Sequence, residues 1–276
     1  MLIGKTIWKG LALPCLLYGT ETIPFSKTEI QNLQRLDNKA FRHILGVHTS
    51  TAVEFIRGEI GASSASSRDA KTKILFIKHA LNEKGNQILS TIVRAELQQK
   101  KTDWSKAAHQ CLKDYDISLN TVLTEEKEII IKKINDKDEA NWKESMSSKK
   151  SLNKYSKFKN KIAEVKWLRN GFKYKLLMRA RGDALNIFWR RTNPQDKICK
   201  LCNREEETLK HFILDCPILQ NQRNRFILLQ LPRILNNIKI LDNILMFKQD
   251  YKLSPVECAD IILHLWQQRE KCLKNE

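Results

Sequence analysis

Three cysteines and one histidine in the last third of the sequence are the residues best suited to chemistry. Cys199, Cys202, His211 and Cys216 are spaced C-x2-C-x8-H-x4-C. Two cysteines two residues apart allow one tight turn to aim both thiolates at one point, and thiolates with an imidazole are ligands that zinc prefers. Four protein ligands leave no open position for water, so the pattern predicts a structural Zn²⁺ site rather than a catalytic one.

The same stretch also fits an interpretation without a metal. Leu209, Phe212, Ile213 and Cys216 have the spacing of the apolar side of a core helix, with His211 incidental. A single histidine is more often packed or solvated than bound to a metal. The combination of CxxC with H-x4-C favours zinc over this alternative.

The gap between the second cysteine and the histidine is long enough for the chain to return with a helix. Asn203 and Glu206 have the spacing of a capping box, so we expect the helix to begin there and to carry His211. On a continuous helix, residues five apart point about 140° away from each other. The helix should therefore unwind near Cys216, and Pro217 favours this because the residue before a proline avoids the α conformation.

Lysine and arginine outnumber the acidic residues by 49 to 31, which gives a formal net charge of +18. Such an excess indicates the partners of a protein rather than its fold. Nucleic acid is the leading candidate, and an anionic membrane surface is the weaker one. The excess is concentrated in residues 143–181, which contain thirteen Lys or Arg and only two Glu, with aromatic residues interleaved.

Cations interleaved with aromatic rings suit nucleic-acid binding, because cations neutralise phosphates and aromatic faces stack on unpaired bases. The alternative is a flexible basic linker whose aromatic residues pack on neighbouring helices. The predicted phosphate contacts lie in this window and after the last cysteine: Lys154, Lys157, Lys159, Lys161, Lys166, Arg169, Arg179, Arg181, Arg223 and Arg225.

Scarce turn residues indicate a helical protein. The 276 residues include only 9 Gly and 6 Pro, about 5% of the chain against an average of about 12%. A mainly α fold is therefore predicted. Ser26 with Glu29, and the Ser-Pro-Val-Glu of residues 254–257, have the pattern of helix N-caps. Thr124 is predicted to cap a further helix with an acidic first turn.

Neither a membrane span nor a signal peptide is predicted. The N-terminal apolar stretch is interrupted by Lys9 and Pro14 and lacks a cleavage site. Seven cysteines are an odd number, and four of them lie outside the predicted metal site: Cys15, Cys111, Cys258 and Cys272. This usage fits a reducing, intracellular compartment better than a disulfide framework.

Two blocks of the sequence resemble the reverse transcriptases of non-LTR retrotransposons. The first covers residues 1–100 and resembles the region just after the polymerase palm. Its matching residues are Trp8, Leu-Pro at 13–14, Leu-Leu-Tyr-Gly at 16–19, Glu21, Arg-x-Ile-Leu-Gly at 42–46 and Glu-Ile-Gly at 59–61. The second covers about 165–226. In it, Arg-Ala-Arg-Gly at 179–182 precedes the first cysteine, and Glu-Thr-x-x-His-x4-Cys-Pro spans residues 207–217.

The resemblance implies a helical thumb that grips a template–primer duplex, followed by the CCHC zinc segment, and a location in the nucleus and cytoplasm. We therefore predict four parts: a thumb-like helical bundle at 1–100, a basic helical connector at 101–170, a small zinc-stapled helical module with its preceding Arg-rich helix at 171–226, and C-terminal helices at 227–276. The partners would be RNA, DNA or both, with the remainder of a reverse transcriptase as a further partner and no membrane.

The catalytic residues of a polymerase are missing from the sequence. The family's palm holds two metal ions through aspartates that include an adjacent pair, and no Asp-Asp occurs here. No endonuclease constellation, Gly-rich phosphate loop or Ser/His/Asp arrangement is evident either. We expect no catalytic residues, and a nucleic-acid-binding C-terminal fragment that binds element RNA or target DNA, from a truncated copy or an incomplete gene model.

Two other functions fit the sequence. The chain could be an RNA-directed DNA polymerase subunit or an endonuclease that another segment completes, because catalytic carboxylates could be supplied from elsewhere. It could also be a zinc-dependent protein-interaction module whose basic surface meets an acidic partner.

Overall fold

The computed structural model describes residues 2–82, 86–165, 167, 171–182, 197–230, 237–247 and 253–274. It is mainly helical, at 74% helix, so the predicted fold class is confirmed. Within these ranges there is no β-strand, only an isolated antiparallel bridge between Ile198 and Glu206. The α-helices are α1 Leu2–Ile7, α2 Leu13–Leu17, α3 Lys27–Leu45, α4 Val53–Ile60, α5 Ala65–Ala80, α6 Gln87–Gln99, α7 Asp103–Asp114, α8 Leu119–Thr124, α9 Lys127–Ser147, α10 Asn153–Phe158, α11 Phe172–Arg181, α12 Gln220–Gln230, α13 Asn237–Ile244 and α14 Pro255–Lys274.

Two of the predicted caps are present. In α3, Ser26 Oγ accepts the Glu29 N–H, and the Glu29 carboxylate accepts the Ser26 N–H at 2.8 Å, which completes a capping box. In α14, Ser254 and Glu257 exchange the same two bonds, at 2.7 and 3.2 Å. Each cap satisfies N–H groups that have no partner inside the helix.

The predicted cap at Thr124 is wrong. Ser118 begins a short helix earlier, where its Oγ accepts the Thr121 N–H at 3.0 Å. Thr124 is the last residue of that helix, α8, and its hydroxyl donates back to the Asn120 carbonyl. The following helix, α9, begins after Glu126 without a side-chain cap. The competing Ser118 cap explains the difference, since it draws Thr124 into a helix end.

The buried apolar side chains form two separate cores. The second core is built from one continuous stretch, from Ala70 on α5 to Ile134 on α9. The main core collects residues from α3, α4, the end of α9, α10, α11, the cysteine segment, α13 and α14. The boundaries predicted at 100 and 170 stay predictions, but the cores do not follow them, because α6 and α7 share the second core and the cysteine segment belongs to the main core.

Helix α9 contributes to both cores. Ile130 and Ile134 are buried in the second core, while Trp142 and Met146 are buried in the main core. Between these pairs, the Asp138 carboxylate accepts two bonds from Arg57 of α4, at 2.9 and 3.1 Å. The Trp142 indole N–H also donates to the Glu54 carbonyl at 2.8 Å. The orientation of α9 against α4 is thus fixed by hydrogen bonds as well as by packing.

Candidate metal centre

A tight turn places the first two cysteines beside each other. The Asn203 N–H donates to the Cys199 carbonyl at 2.8 Å, and the Cys199 N–H donates to the Glu205 carbonyl at 2.8 Å. Asn203 has a left-handed backbone, with φ of 51°, a conformation that asparagine tolerates better than most residues. The chain therefore doubles back directly after Cys202, and the bridge between Ile198 and Glu206 closes this small hairpin.

The capping box predicted at Asn203 and Glu206 is wrong, because both residues belong to the hairpin. The helix begins after Thr208, whose Oγ1 accepts the His211 N–H at 3.0 Å. Thr208 thus has the capping role that sequence reasoning gave to Asn203. The signal was present in the sequence, since threonine is itself a preferred N-cap residue.

The helix that carries His211 widens before it ends. Residues His211–Asp215 form a π-helical turn, in which the Cys216 N–H donates to the His211 carbonyl at 2.7 Å. A bond from each residue to the fifth before it brings positions five apart closer to one face than an α-helix would. The predicted end of the helix at Cys216 is confirmed, and Pro217 follows in a 3₁₀ turn.

These two local structures bring the four predicted ligands together. One ligand atom from each of Cys199, Cys202, His211 and Cys216 lies within 4.8 Å of the other three. The Cys199 and Cys216 sulfurs are 3.9 Å apart, and the Cys202 sulfur is 3.4 Å from His211 Nε2. Three of the side chains are buried and that of Cys202 is half-buried. The cluster can hold a metal ion with four protein ligands.

The imidazole of His211 is oriented by a carboxylate that sequence reasoning missed. Its Nδ1 lies 3.2 Å from Glu205 Oε2, which leaves Nε2 to face Cys202. A carboxylate on the far nitrogen fixes the tautomer and the ring orientation of a metal-binding histidine. No spacing rule points to Glu205, because the contact depends on the hairpin that turns residue 205 back toward the helix.

Backbone N–H groups surround both buried sulfurs. Those of Leu201 and Cys202 favour the thiolate of Cys199, and those of Ile218 and Leu219 favour the thiolate of Cys216. The hydrogen bond between the two sulfurs raises the pKa of Cys199 and lowers the pKa of Cys216. Ligands must be thiolates to bind a metal, and these donors stabilise that form.

The cluster is packed into the main core rather than standing apart from it. Phe212, next to the histidine, meets the Trp266 ring of α14 edge-on at 6.2 Å. Glu207 and Arg269, both buried, form a two-point ion pair at 2.9 and 3.2 Å between the hairpin and α14. The positions of the four candidate ligands therefore depend on the packing of α14 against this segment.

Five of the predicted phosphate contacts form hydrogen bonds or ion pairs with other residues of the same chain. Lys154 pairs with Asp242 at 2.7 Å, Lys159 donates to the Ala163 carbonyl at 2.7 Å, and Arg179 donates to the Gly46 carbonyl at 2.6 Å.

Arg181 and Arg223 are the two buried members of that set. Arg181 forms an ion pair with the fully buried Glu59 at 3.1 Å and also donates to the Leu245 carbonyl. Arg223 donates to the Cys216 carbonyl. In this conformation neither guanidinium is presented to a phosphate.

The remaining members of the predicted set are three exposed cations and two residues without a described position. Lys157, Lys161 and Arg225 are exposed. Lys166 and Arg169 lie outside the described residues. The basic excess is real, but much of it stabilises the fold, which leaves a smaller set of surface cations for a partner.

Most of the aromatic residues described in the basic window are packed against the protein. Tyr155 is buried and meets Phe55 at 4.9 Å, and the ring of Phe158 stacks on Phe247 at 5.3 Å. Phe172 is the exception, with 55% of its surface exposed. The alternative in which these rings pack on neighbouring helices thus describes Tyr155 and Phe158, and Phe172 is left as a candidate for base stacking.

The chain matches no protein-family model, and comparison with curated proteins and with solved structures finds no match either. None of the helices in the described ranges has the length and apolar character needed to cross a membrane. The resemblance to reverse transcriptases thus rests on the sequence motifs alone.

Proposed function

We propose that this chain is a nucleic-acid-binding protein whose CCHC cluster holds a structural Zn²⁺. The observation that carries the proposal is the convergence of four ligand atoms within 4.8 Å. Zinc–sulfur bonds of about 2.3 Å at tetrahedral angles separate two sulfurs by roughly 3.8 Å, close to the 3.9 Å between Cys199 and Cys216. Thiolates and imidazole suit zinc better than magnesium or calcium, which take oxygen ligands.

Nucleic acid is the partner that the charge favours. The net charge of +18 attracts polyanions over a long range. Lys157, Lys161 and Arg225 are exposed and would neutralise phosphates, and Phe172 would stack on an unpaired base. Zinc would act indirectly, by holding the segment that leads to Arg225 in one conformation.

The element RNA or target DNA of a non-LTR retrotransposon is the proposed ligand, and the chain is proposed to be the C-terminal part of such a reverse transcriptase without its palm. The motifs at 1–61 and 179–217 support this parentage. Catalysis of polymerisation or cleavage would then need carboxylates from another segment. A primer-extension assay on the isolated chain tests this expectation, and incorporation of nucleotides would reject the proposal that the chain binds nucleic acid without polymerising it.

Two measurements test the main proposal. Elemental analysis of purified protein should find one zinc per chain, and a chelator should change the circular dichroism. Binding to an RNA hairpin and to duplex DNA should weaken log-linearly with salt, because each phosphate contact releases counterions. Absence of zinc, or affinity that does not change with salt, would contradict the proposal.

Variants locate the nucleic-acid surface. Replacing Lys157, Lys161 and Arg225 by alanine should reduce the salt slope by about 0.7–0.9 for each phosphate that is no longer neutralised. The matched control replaces Lys113, Lys132 and Lys133, which are exposed on the second-core side of the molecule. Equal effects of the two triple variants would mean that attraction is not confined to the proposed surface.

A zinc-dependent protein-interaction module is the second candidate. The burial of Arg181 and Arg223 favours it, since these predicted phosphate contacts serve the fold instead. An acidic peptide that competes with RNA at equal charge would support it.

A further inference from the structure

A large apolar groove lies between the N-terminal helix, defined here as residues 2–17, and α3. It has a volume of about 840 Å³, within the size range of ligand-binding clefts. Trp8, Cys15 and Leu16 line it from the N-terminal helix, and Leu36 and Ala40 line it from α3.

The two walls of the groove are held in place by specific contacts. Trp8 meets Phe41 of α3 edge-on at 5.5 Å. A Cβ at Gly4 would come within 3.1 Å of Ile44, so the helices approach closely where the glycine lies. Lys5, which is buried, pairs with Glu164. The groove is therefore a formed feature of the fold and needs no rearrangement to accept a partner.

Exposed apolar side chains extend the groove. Ile3, Ile7 and Leu11 are 65%, 53% and 67% exposed, and Leu36 is 53% exposed. Ile3, Ile7, Leu11 and Cys15 are each four residues apart, so the exposed apolar side chains lie on the side of the N-terminal helix that reaches the groove at Cys15. Apolar residues that cluster in this way mark interaction sites, whereas singly scattered ones need no explanation.

Among the residues that the structure describes, the ionisable side chains that line the groove, apart from the Cys15 thiol, are Lys39, Arg42 and His43, and none of the lining residues is acidic. Lys39 and His43 are exposed, while Arg42 also donates twice to the Thr51 carbonyl. Leu36, Lys39 and His43 follow each other at helical spacing, so apolar and basic side chains share one face of α3. A complementary partner must be apolar in the centre and anionic at its edges.

We propose that this groove binds an acidic amphipathic helix of a partner protein. Such a helix inserts apolar side chains at i, i+3, i+4 and i+7 into an apolar groove. Its flanking carboxylates would pair with the Lys39 ammonium and accept a hydrogen bond from His43. A second copy of this chain is a poor occupant because its net charge of +18 is repelled by the same cations. A nucleic acid would leave the apolar floor unfilled.

Selection from a peptide library tests this proposal. The library consists of 16-residue helices with leucine fixed at i, i+3, i+4 and i+7 and with flanking positions varied among Glu, Gln and Lys. The intact zinc-loaded chain should enrich peptides with Glu flanks, and the best of them should bind at least tenfold more tightly than their Lys-flanked counterparts, measured by fluorescence anisotropy.

Two variants connect the result to the groove. Leu36→Glu should reduce affinity for the selected acidic peptide by at least tenfold, because it places an anion on the apolar wall. Ile92→Glu is the matched control, since Ile92 on α6 is 55% exposed and lies outside the groove. Affinity of the control should stay within twofold of the wild type.

Three outcomes would overturn the proposal. One is enrichment without preference for Glu, and another is equal loss of affinity in Leu36→Glu and Ile92→Glu. The third is binding to phosphatidylserine vesicles that Leu36→Glu abolishes while no acidic peptide is enriched, which would assign the groove to a membrane surface. Zinc content and salt-dependent RNA binding are measured on the same variants, so failure here is distinguishable from failure of the proposed nucleic-acid function.

Discussion

The two hydrophobic cores are held together by different means. The second core is built from consecutive helices with short connections, so its contacts close small loops. The main core joins segments from Phe41 to Leu265 that are far apart in the sequence. Closing longer loops costs more conformational entropy. The main core contains the cluster of three cysteines and one histidine and the buried Arg181–Glu59 and Arg269–Glu207 pairs. Distant segments of the main core are thus joined by buried ion pairs, whereas the buried Lys73–Asp69 pair beside the second core lies within one helix.

Loss of the metal should have the largest effect and should separate the two cores. In zinc-finger peptides the bound metal supplies about 10–16 kcal/mol of apparent free energy, which is also folding free energy; a chelator would remove the proposed metal, and Cys202→Ser would remove one of its four ligands. We expect hydrogen-exchange protection to fall in residues 199–219 and in α14, and to stay unchanged in α5–α8. Cys272→Ser is the control, since Cys272 is half-buried like Cys202 and is not a ligand. Equal loss of protection in both cores would refute their independence.

Removal of a buried ion-pair partner should have the next largest effect. Glu59→Ala removes the carboxylate that pairs with Arg181 and accepts the Tyr155 hydroxyl, which should lower the free energy of unfolding by about 3–5 kcal/mol. Urea denaturation measures the change, with Glu144→Ala as an exposed control on α9. The double variant Glu59→Leu, Arg181→Met should recover much of the loss, because two apolar side chains leave no unpaired charge. A cost near zero for Glu59→Ala would mean that the pair does not stabilise the main core.

A cavity in the second core should cost the same with and without metal. Ile74→Ala removes a fully buried side chain of α5 and should destabilise by about 2–5 kcal/mol. The matched variant Ile213→Ala removes an equally buried side chain beside the ligands, so its cost should depend on the metal. Thermal unfolding of both variants, with zinc and with chelator, gives the comparison. A metal-dependent cost for Ile74→Ala would show that the cores are coupled.

Helix caps should have the smallest effects, and these should be similar in both cores. Ser26→Ala at α3 and Thr102→Ala at α7 each remove one cap bond and should cost about 1 kcal/mol.

The hydrogen bonds from Ser26 lower the pKa of Glu29. A carboxylate with a lowered pKa stabilises the fold above its ordinary range and loses that contribution as the pH falls through the folded-state pKa. Acid titration of Glu29→Gln should lack this step.

Sequence reasoning succeeded where one residue pattern determines one local structure. The convergence of Cys199, Cys202, His211 and Cys216 follows from their spacing, and the caps at Ser26 and Ser254 follow from short-range hydrogen bonds. It failed at Asn203, because the hairpin there depends on backbone bonds to Glu205 that no residue preference announces. The π-helical turn at His211–Asp215 was not predicted either, since the sequence indicated only that the helix should end near Cys216.

Burial of charge was the other property that the sequence did not reveal. Arg181 looks like a surface cation in a basic window, but it lies opposite Glu59, 122 residues away. The tertiary structure brings the two residues together. The charge of a segment can thus be counted in advance, whereas its division between folding and binding requires the structure.

Helix α9 determines how the two cores are turned relative to each other. Its 21 residues span roughly 31 Å at 1.5 Å per residue. Ile134 is packed in the second core and Trp142 in the main core. Inserting a single residue between them would rotate everything beyond it by about 100°. Each core could then keep its own helices, but Trp142 would turn away from the main core. The number of residues between Ile134 and Trp142 therefore fixes the orientation of one core relative to the other.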